Sequence, residues 1–458
     1  MIEVVQAFDR APIAQIDSDD ATALERKIEA AAQIFADRDA RLKPHQRIDI
    51  LRRLATLMEA KREHFGRQIA REGGKPLTDA MIEADRAIDG VRNAIDVLRV
   101  AGGREIPMGT TPASAGRRAF TIIEPIGVVA AISAFNHPLN LIVHQVAPAI
   151  AVGCPVIVKP ATPTPLSCVD FVALVREAGL PPAWCQTFLP ETNELAERLA
   201  TDPRIAFLSF IGSSRVGWHL RSRLPPGTRC ALEHGGAAPA IIDRSADLDQ
   251  IIEPLAKGGY YHAGQVCVST QRIYVHADLE RDFLDRFAAR VTALKVGDPV
   301  LAETEVGPLI NPREADRVSA WIGEAAAGGA RLIGGGHVSS TTLLPTIIVN
   351  PPIDAKVSTL EVFGPVTCVY SFTRLHEAVA AANALPAAFQ ASIFTKDLRT
   401  ALDAAERLAA SAVMVNDHTA FRTDWMPFAG RRQSGYGVGG IPATMQTMTE
   451  EKMIVFKT

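Results

Sequence analysis

Apolar residues recur at three- and four-residue spacing from about Asp20 to Val100, the period of amphipathic helices. Ala, Leu and Ile carry one face through residues 20–40. Pro44 opens a second helix through Arg52 and Leu57, and a third starts near Pro76 and passes Ile82 and Ile88. The period then changes. Residues 117–123 (RRAFTII) alternate, as a strand outside a central sheet does.

From Gly127 onward short apolar strands and helices take turns. GVVAAIS is a strand, NLIVHQVAPAIAVG a helix closed by Gly153, and PVIVKP a second strand. PLSCVDFVALVREAG is a helix ending at Gly179, and IAFLSFIG a further strand. This alternation with short connections predicts a parallel, doubly wound sheet of nucleotide-binding type. After Gly235 a second α/β region follows: PAIIDR, a helix near 248–260, RIYVHA, LERDFLDRFAARVTAL, TIIVNP, LHEAVAAANAL and SAVMVND. The tail EEKMIVFKT reads as one exposed strand, suited to pairing with another sheet or subunit.

Composition narrows the classes. A chain of 458 residues exceeds one hydrophobic core, so two large domains and a smaller element are expected. Net charge is −3 and no Lys/Arg block runs long, so neither nucleic acid nor an anionic membrane is an expected partner. The acidic start lacks the basic and apolar regions of a secretory signal. Residues 126–158 are the longest apolar stretch, but Asn136, His137, Pro138, Asn140, His144 and Gln145 interrupt it, so no bilayer span is expected. Cys154, Cys168, Cys185, Cys230, Cys267 and Cys368 form no Cys-x-x-Cys pair. That spacing suits neither a metal site nor a disulfide scaffold, and it fits a reducing, cytoplasmic setting.

Five short segments carry candidate chemistry, and each also has a plain structural reading. Gly264-Gln265-Val266-Cys267 holds a lone Cys, by base rate a small core residue. Glu233-His234-Gly235-Gly236 could simply end a strand. Asn136 before His137-Pro138 could cap the helix that follows. Lys159-Pro160-Ala161-Thr162 places a Lys at the carboxyl end of a parallel strand, the edge where such sheets bind ligands. Residues 210–217 (FIGSSRVG) join a strand by a tight turn to a helix N-terminus able to face a pyrophosphate.

Taken in their order along the chain, these segments resemble the aldehyde dehydrogenase superfamily over essentially the whole chain. The resemblance implies a Rossmann-type cofactor-binding domain over 1–112 and 127–234 and a catalytic α/β domain over 235–430. It also implies a small β oligomerisation arm from 113–126 and 445–458, with a homodimer or homotetramer. Cys267 would be the nucleophile, forming a thiohemiacetal and then a thioester with a small aldehyde. Glu233 would activate the hydrolytic water, and Asn136, with the backbone N–H of Cys267, would hold the oxyanion. Lys159 would hold the adenosine ribose of NAD or NADP. Thr162 stands where many relatives carry a ribose-gripping Glu, which opens NADP use. Gly212, Ser213 and Val216 would meet the pyrophosphate, Glu361 the nicotinamide ribose, and Phe363 would back the ring. Residues 426–430 and 433–435 match the closing motif of the substrate funnel, with Ala429 in place of a Gly.

Two departures stand out. His234 replaces the commoner Leu, as a structural variation or as a general base. Gly437-Val438-Gly439 lacks a proton-relay Glu that some members keep. For the substrate, residues 417–424 (DHTAFRTD) resemble the lactaldehyde-dehydrogenase-like branch, and His144 stands where relatives using short acidic aldehydes often carry Arg. His144, His418 and Arg422 could meet a hydroxyl, carboxylate, phosphate or sulfonate. Alternatively Arg422 and Asp424 form a salt-bridged loop at a subunit contact. Two other functions stay open: a coenzyme-A-acylating relative, which generally lacks the Glu, and a catalytically silent structural relative. A Cys–His hydrolase would need a His partner that the sequence does not place.

Overall fold

The computed structural model describes residues 1–457, so Thr458, at the end of the expected arm, lies outside the described residues. Helices Ala21–Ala36, Pro44–Ala60 and Leu77–Val100 form where the apolar spacing places them. The Asp20 side chain caps the first by accepting from the Ala23 N–H, and Pro44 sits in the first turn of the second. A helix at Arg62–Gly73 and an antiparallel hairpin, Ile2–Val5 with Pro12–Ile16, were not expected. The hairpin is short and mostly half-buried, so it shows no clean alternation.

The first large sheet has six strands in the order Gly435–Tyr436, Arg229–Glu233, Ile205–Ile211, Val128–Ile132, Val156–Lys159 and Cys185–Thr187. All neighbours are parallel except the first pair. Helices cover both faces, so Val128–Ile132 is buried at every position and reads as a continuous apolar run. Strand order reverses beside Val128–Ile132, and the carboxyl ends bring Ile132, Lys159, Ile211 and Glu233 to one edge. Helix Asn140–Val152 is buried along almost its whole length and ends at Gly153, whose φ of 93° takes the left-handed cap.

The second sheet runs Arg331–Gly334, Thr346–Val349, Val366–Phe372, Thr270–His276, Ala238–Ile242, Gln390–Phe394 and Ala412–Val415. Only the edge strand Arg331–Gly334 is antiparallel. The third sheet pairs Thr449–Lys457 with Arg117–Pro125 over nine residue pairs. Glu105–Ile106, expected in the cofactor-binding domain, instead adds the far edge of this small sheet. After residue 430 the chain returns to the first sheet: Gly435 pairs with Glu233, and helix Ile441–Thr447 packs on Asn140–Val152. Among the described residues no helix is long and apolar enough to cross a membrane.

Candidate active site

A cavity of about 750 Å³ follows the carboxyl edge of the first sheet, from Lys159 and Thr162 at one end to Cys267, Arg422 and Phe428 at the other. Its walls come from loops of both large sheets, the usual place for a ligand in a doubly wound protein.

The loop carrying Cys267 is held by backbone geometry. His262, Ala263 and Gly264 all have positive φ (50°, 53° and 69°), which bends the chain after helix Leu248–Tyr260. A Cβ at Gly264 would lie 2.1 Å from the Gly364 carbonyl oxygen, so only glycine fits. Gln265 then staples the loop: its Nε2 donates to the carbonyls of His262 and Pro308, and its Oε1 accepts from the Ile310 N–H at 3.0 Å. The Gly-Gln pair thus holds the half-buried Cys267 at the cavity wall. The Asn136 amide donates to the Gln265 carbonyl at 2.9 Å, placing an N–H-bearing group beside the same loop.

Glu233 closes the strand Arg229–Glu233, and its carboxylate has no hydrogen bond or ion pair among the described residues. Burial pushes its carboxyl up, opposed by the charge of Arg422. A Cβ at Gly439 would lie 2.0 Å from Glu233 Oε1, so this glycine makes room for the carboxylate. Burial also pushes the Cys267 thiol up, with Glu361 adding to the effect and Arg422 opposing it. Glu361 packs over Gly235, where a Cβ would lie 1.6 Å from its Oε1. Burial raises Glu361 to about 8 against the pull of Arg317, and its Oε1 is buried with no partner.

Arg422 enters the cavity stacked on Phe428, its guanidinium carbon 3.5 Å from the ring centroid. Nη2 donates to His144 Nδ1 at 3.3 Å, while Nε is buried and unpartnered. At the opposite end Gly212, Ser213 and Val216 line the wall, and helix Ser214–Ser222 begins there. The backbone N–H groups of Ser213, Ser214 and Arg215 have no partner among the described residues. Lys159 donates to its neighbour's carbonyl, at Pro160, and burial lowers it to about 8. On the same cavity wall Glu197 bonds His219 at 3.2 Å and Arg223 at 2.7 Å.

A half-buried acid with its carboxylate free, a thiol on a stapled loop and an amide beside it suit addition to a carbonyl followed by hydrolysis. The profile of the Aldehyde dehydrogenase family matches residues 1–454. The chain belongs to that family. The aldehyde dehydrogenase is 34% identical over 455 residues to 3-sulfolactaldehyde dehydrogenase of Priestia aryabhattai, covering 99% of this chain and 94% of the relative. Among solved structures it superposes on aldehyde dehydrogenase 21 of Physcomitrella patens in complex with the product succinate. There the TM-score is 0.96 and the identity 33%, over 100% of this chain and 95% of the other. Glyceraldehyde-3-phosphate dehydrogenase of Methanocaldococcus jannaschii, complexed with NADP, matches with a TM-score of 0.95 and 29% identity, over 100% and 99%. This is an NAD(P)-dependent aldehyde dehydrogenase with the α/β fold of that family.

The structure brings Cys267, Glu233, Asn136, Lys159, Thr162, Gly212, Ser213, Val216, Glu361, Phe363 and Arg422 of the aldehyde dehydrogenase onto one cavity. His144 does not reach its wall; it stands behind Arg422 with Nε2 donating to Asp424 at 2.7 Å. His418 also lies off the wall: its Cβ packs on Gly258 and its Nδ1 accepts from the Ala420 N–H. The alternative pairing of Arg422 with Asp424 does not form. Asp424 instead takes both Arg86 nitrogens, at 2.7 and 3.1 Å, and the Asn140 amide at 3.1 Å. Burial opposes its ionisation, yet His144 and Arg86 hold its carboxyl well below the usual range.

Arg86 also lines the cavity and was missed by the sequence reading, because it sits mid-helix in Leu77–Val100 with no motif around it. His234 fills a slot between Phe210, Trp218 and Gly217 at the Gly212 end of the wall, where the only hydrogen bond of its ring among the described residues is to the Gly212 carbonyl.

Proposed function

We propose that the enzyme oxidises a short, anionic aldehyde to its carboxylic acid through a thioester on Cys267. The observation that carries the reading is the convergence of Cys267, Asn136, Glu233 and a half-partnered Arg422 on one cavity.

The Cys267 thiol, which burial keeps protonated at rest, gives its proton to water; the thiolate then adds to the carbonyl carbon, and the oxygen takes the electron pair. Asn136 spends one amide hydrogen on Gln265, leaving the other for that oxygen together with the Cys267 N–H. NAD(P), when bound, supplies the hydride acceptor, and the carbon is left as a thioester. Glu233, made basic by burial, takes a proton from water as the water's oxygen attacks the thioester; the acid leaves and the thiolate returns.

The residues fit a dinucleotide. Three unpaired N–H groups at a helix N-terminus suit its phosphates. Lys159 and Thr162 stand at the adenosine end, Glu361 has a bare buried oxygen for a ribose hydroxyl, and Phe363 offers a ring face.

The anionic substrate class follows from Arg422. Its Nε is buried without an acceptor, a costly state that a carboxylate, sulfonate or phosphate on the substrate would relieve. The relative named for a sulfonated aldehyde and the structure holding succinate fit this reading. A free Glu233 carboxylate favours hydrolysis over transfer to coenzyme A, and the intact Cys267 and Asn136 favour catalysis over a silent structural role. The arm sheet, which exposes Phe120 and Phe456, would pair subunits. Cys267→Ala is expected to abolish NAD(P)H formation while cofactor binding, read by calorimetry, stays intact; ordinary turnover in that variant would refute the mechanism.

A further inference from the structure

The dipeptide Glu233-His234 grips the turn at Gly212 from both sides. The Gly212 N–H donates to the Glu233 carbonyl at 3.0 Å, and the Gly212 carbonyl accepts from His234 Nδ1 at 2.9 Å. The His234 ring is 1% exposed and edge-on to Phe210 and Trp218, with centroids 5.8 and 6.0 Å away. A Cβ at Gly217 would lie 2.0 Å from its Cε1, so the imidazole fits only because the helix Ser214–Ser222 has glycine there. Its Nε2 is buried with no partner, which fixes the tautomer: Nδ1 carries the proton and the ring is neutral. Burial lowers its proton affinity in keeping with that state.

Across a trans peptide the carbonyl of one residue and the N–H of the next point in opposite directions. No cis peptide bond occurs among the described residues, so holding the Gly212 carbonyl against His234 turns the Ser213 N–H away from the ring. That N–H joins the N–H groups of Ser214 and Arg215, all unpaired at the start of the helix. A leucine at 234 would leave the Gly212 carbonyl without this donor and the peptide free to rotate.

We infer that His234 is a positioning residue for the cofactor, fixing the Gly212–Ser213 peptide so that the Ser213 N–H faces a phosphate of the dinucleotide. This rests on the proposed reading that the turn takes the phosphates. His234 touches no reacting atom; it acts through the peptide it holds.

The test is calorimetric titration of the full-length enzyme with ADP and with adenosine. His234→Leu is expected to weaken ADP roughly tenfold, the worth of about one hydrogen bond, and to leave adenosine unchanged. In kinetics the loss falls on the KM for NAD(P) and spares the KM for aldehyde. His234→Asn, whose amide N–H can stand where Nδ1–H does, is expected to restore ADP affinity to within about twofold. Unchanged ADP affinity in the Leu variant would overturn the inference, as would an Asn variant as weak as Leu.

Ser213→Pro separates the two readings, because Ser213 has a φ of −65° that proline adopts while losing the N–H. If ADP binds that variant as tightly as the native enzyme, the phosphate reading of the turn fails. If Ser213→Pro weakens ADP and His234→Leu does not, only the role of His234 fails.

Discussion

Arg422 Nη2 donates to His144 Nδ1 at 3.3 Å, and the same imidazole donates from Nε2 to Asp424 at 2.7 Å. One neutral ring therefore joins a cavity cation to a buried anion that Arg86 and Asn140 also hold. Burial, with Arg422 adding, lowers His144 to about 4, so it stays neutral and keeps Nδ1 an acceptor at physiological pH. The guanidinium is fixed on one edge and left bare at Nε.

Arg422→Met tests what that bare edge is for. A charge-assisted hydrogen bond is worth roughly 1.5–3 kcal/mol, so kcat/KM for an anionic aldehyde is expected to fall about 10- to 100-fold. A neutral aldehyde of the same length should lose only a few-fold. Equal losses on a panel differing in charge alone would show that Arg422 shapes the funnel without reading the anion.

Glu233 should set the acid limb of the pH profile. Burial raises its carboxyl, and it works as a base only when ionised. Turnover is therefore expected to fall as pH drops through its raised value, at a higher pH than an ordinary glutamate would impose. Glu233→Gln should keep a stoichiometric burst of NAD(P)H, followed by turnover slowed by about 10²–10⁴, the usual range for a lost acid–base group. Stopped-flow absorbance measures both phases. Loss of the burst along with turnover would move Glu233 to an earlier step.

The parts legible in the sequence are those where local pattern and final environment agree. Val128–Ile132 and, up to Val158, the strand Val156–Lys159 are buried on both faces and read as apolar runs. Gly153 and Gly264 announce positions that a side chain cannot occupy. Cys267, Glu233 and Asn136 sat in motifs whose glycines and glutamine the loop geometry explains. Arg86 carried no such mark, since its meaning comes from Asp424, 338 positions away. His144 and His418 were candidates for the substrate because their positions resemble those at which relatives read short acidic or hydroxylated aldehydes. Side-chain direction, which sequence distance does not encode, sends one behind Arg422 and the other toward Gly258.

The arm sheet gives the oligomer prediction. Phe120 and Phe456 stack at 5.9 Å, yet Phe456 remains 52% exposed, with Met453 and Val455 exposed beside it on the edge strand Thr449–Lys457. An open edge carrying apolar side chains is a pairing surface. Phe456→Asp is expected to shift the enzyme toward smaller species in sedimentation velocity. A native chain that sediments as a stable, active monomer would refute the reading.

Thr162 and Lys159 line the same end of the cavity, the end proposed to take the adenosine, and on that reading they set the cofactor choice. A glutamate at 162 would accept from both ribose hydroxyls and repel a 2′-phosphate; threonine does neither. Lys159 is the nearby cation, but burial lowers it to about 8, so its charge is present at pH 7 and fades above that value. Charge-assisted bonds of roughly 1.5–3 kcal/mol each translate to one or two decades of preference. The native enzyme is therefore expected to use both cofactors with no more than about a hundredfold bias. Its KM for NADP should rise between pH 7 and 9 more than its KM for NAD, because only the 2′-phosphate needs the ammonium form. Thr162→Glu should weaken NADP far more than NAD and leave the KM for aldehyde in place. If the native enzyme rejects NADP outright, or the glutamate variant uses it equally well, the choice is set elsewhere on the wall. Another charged group on the same wall is Glu197, held by His219 and Arg223.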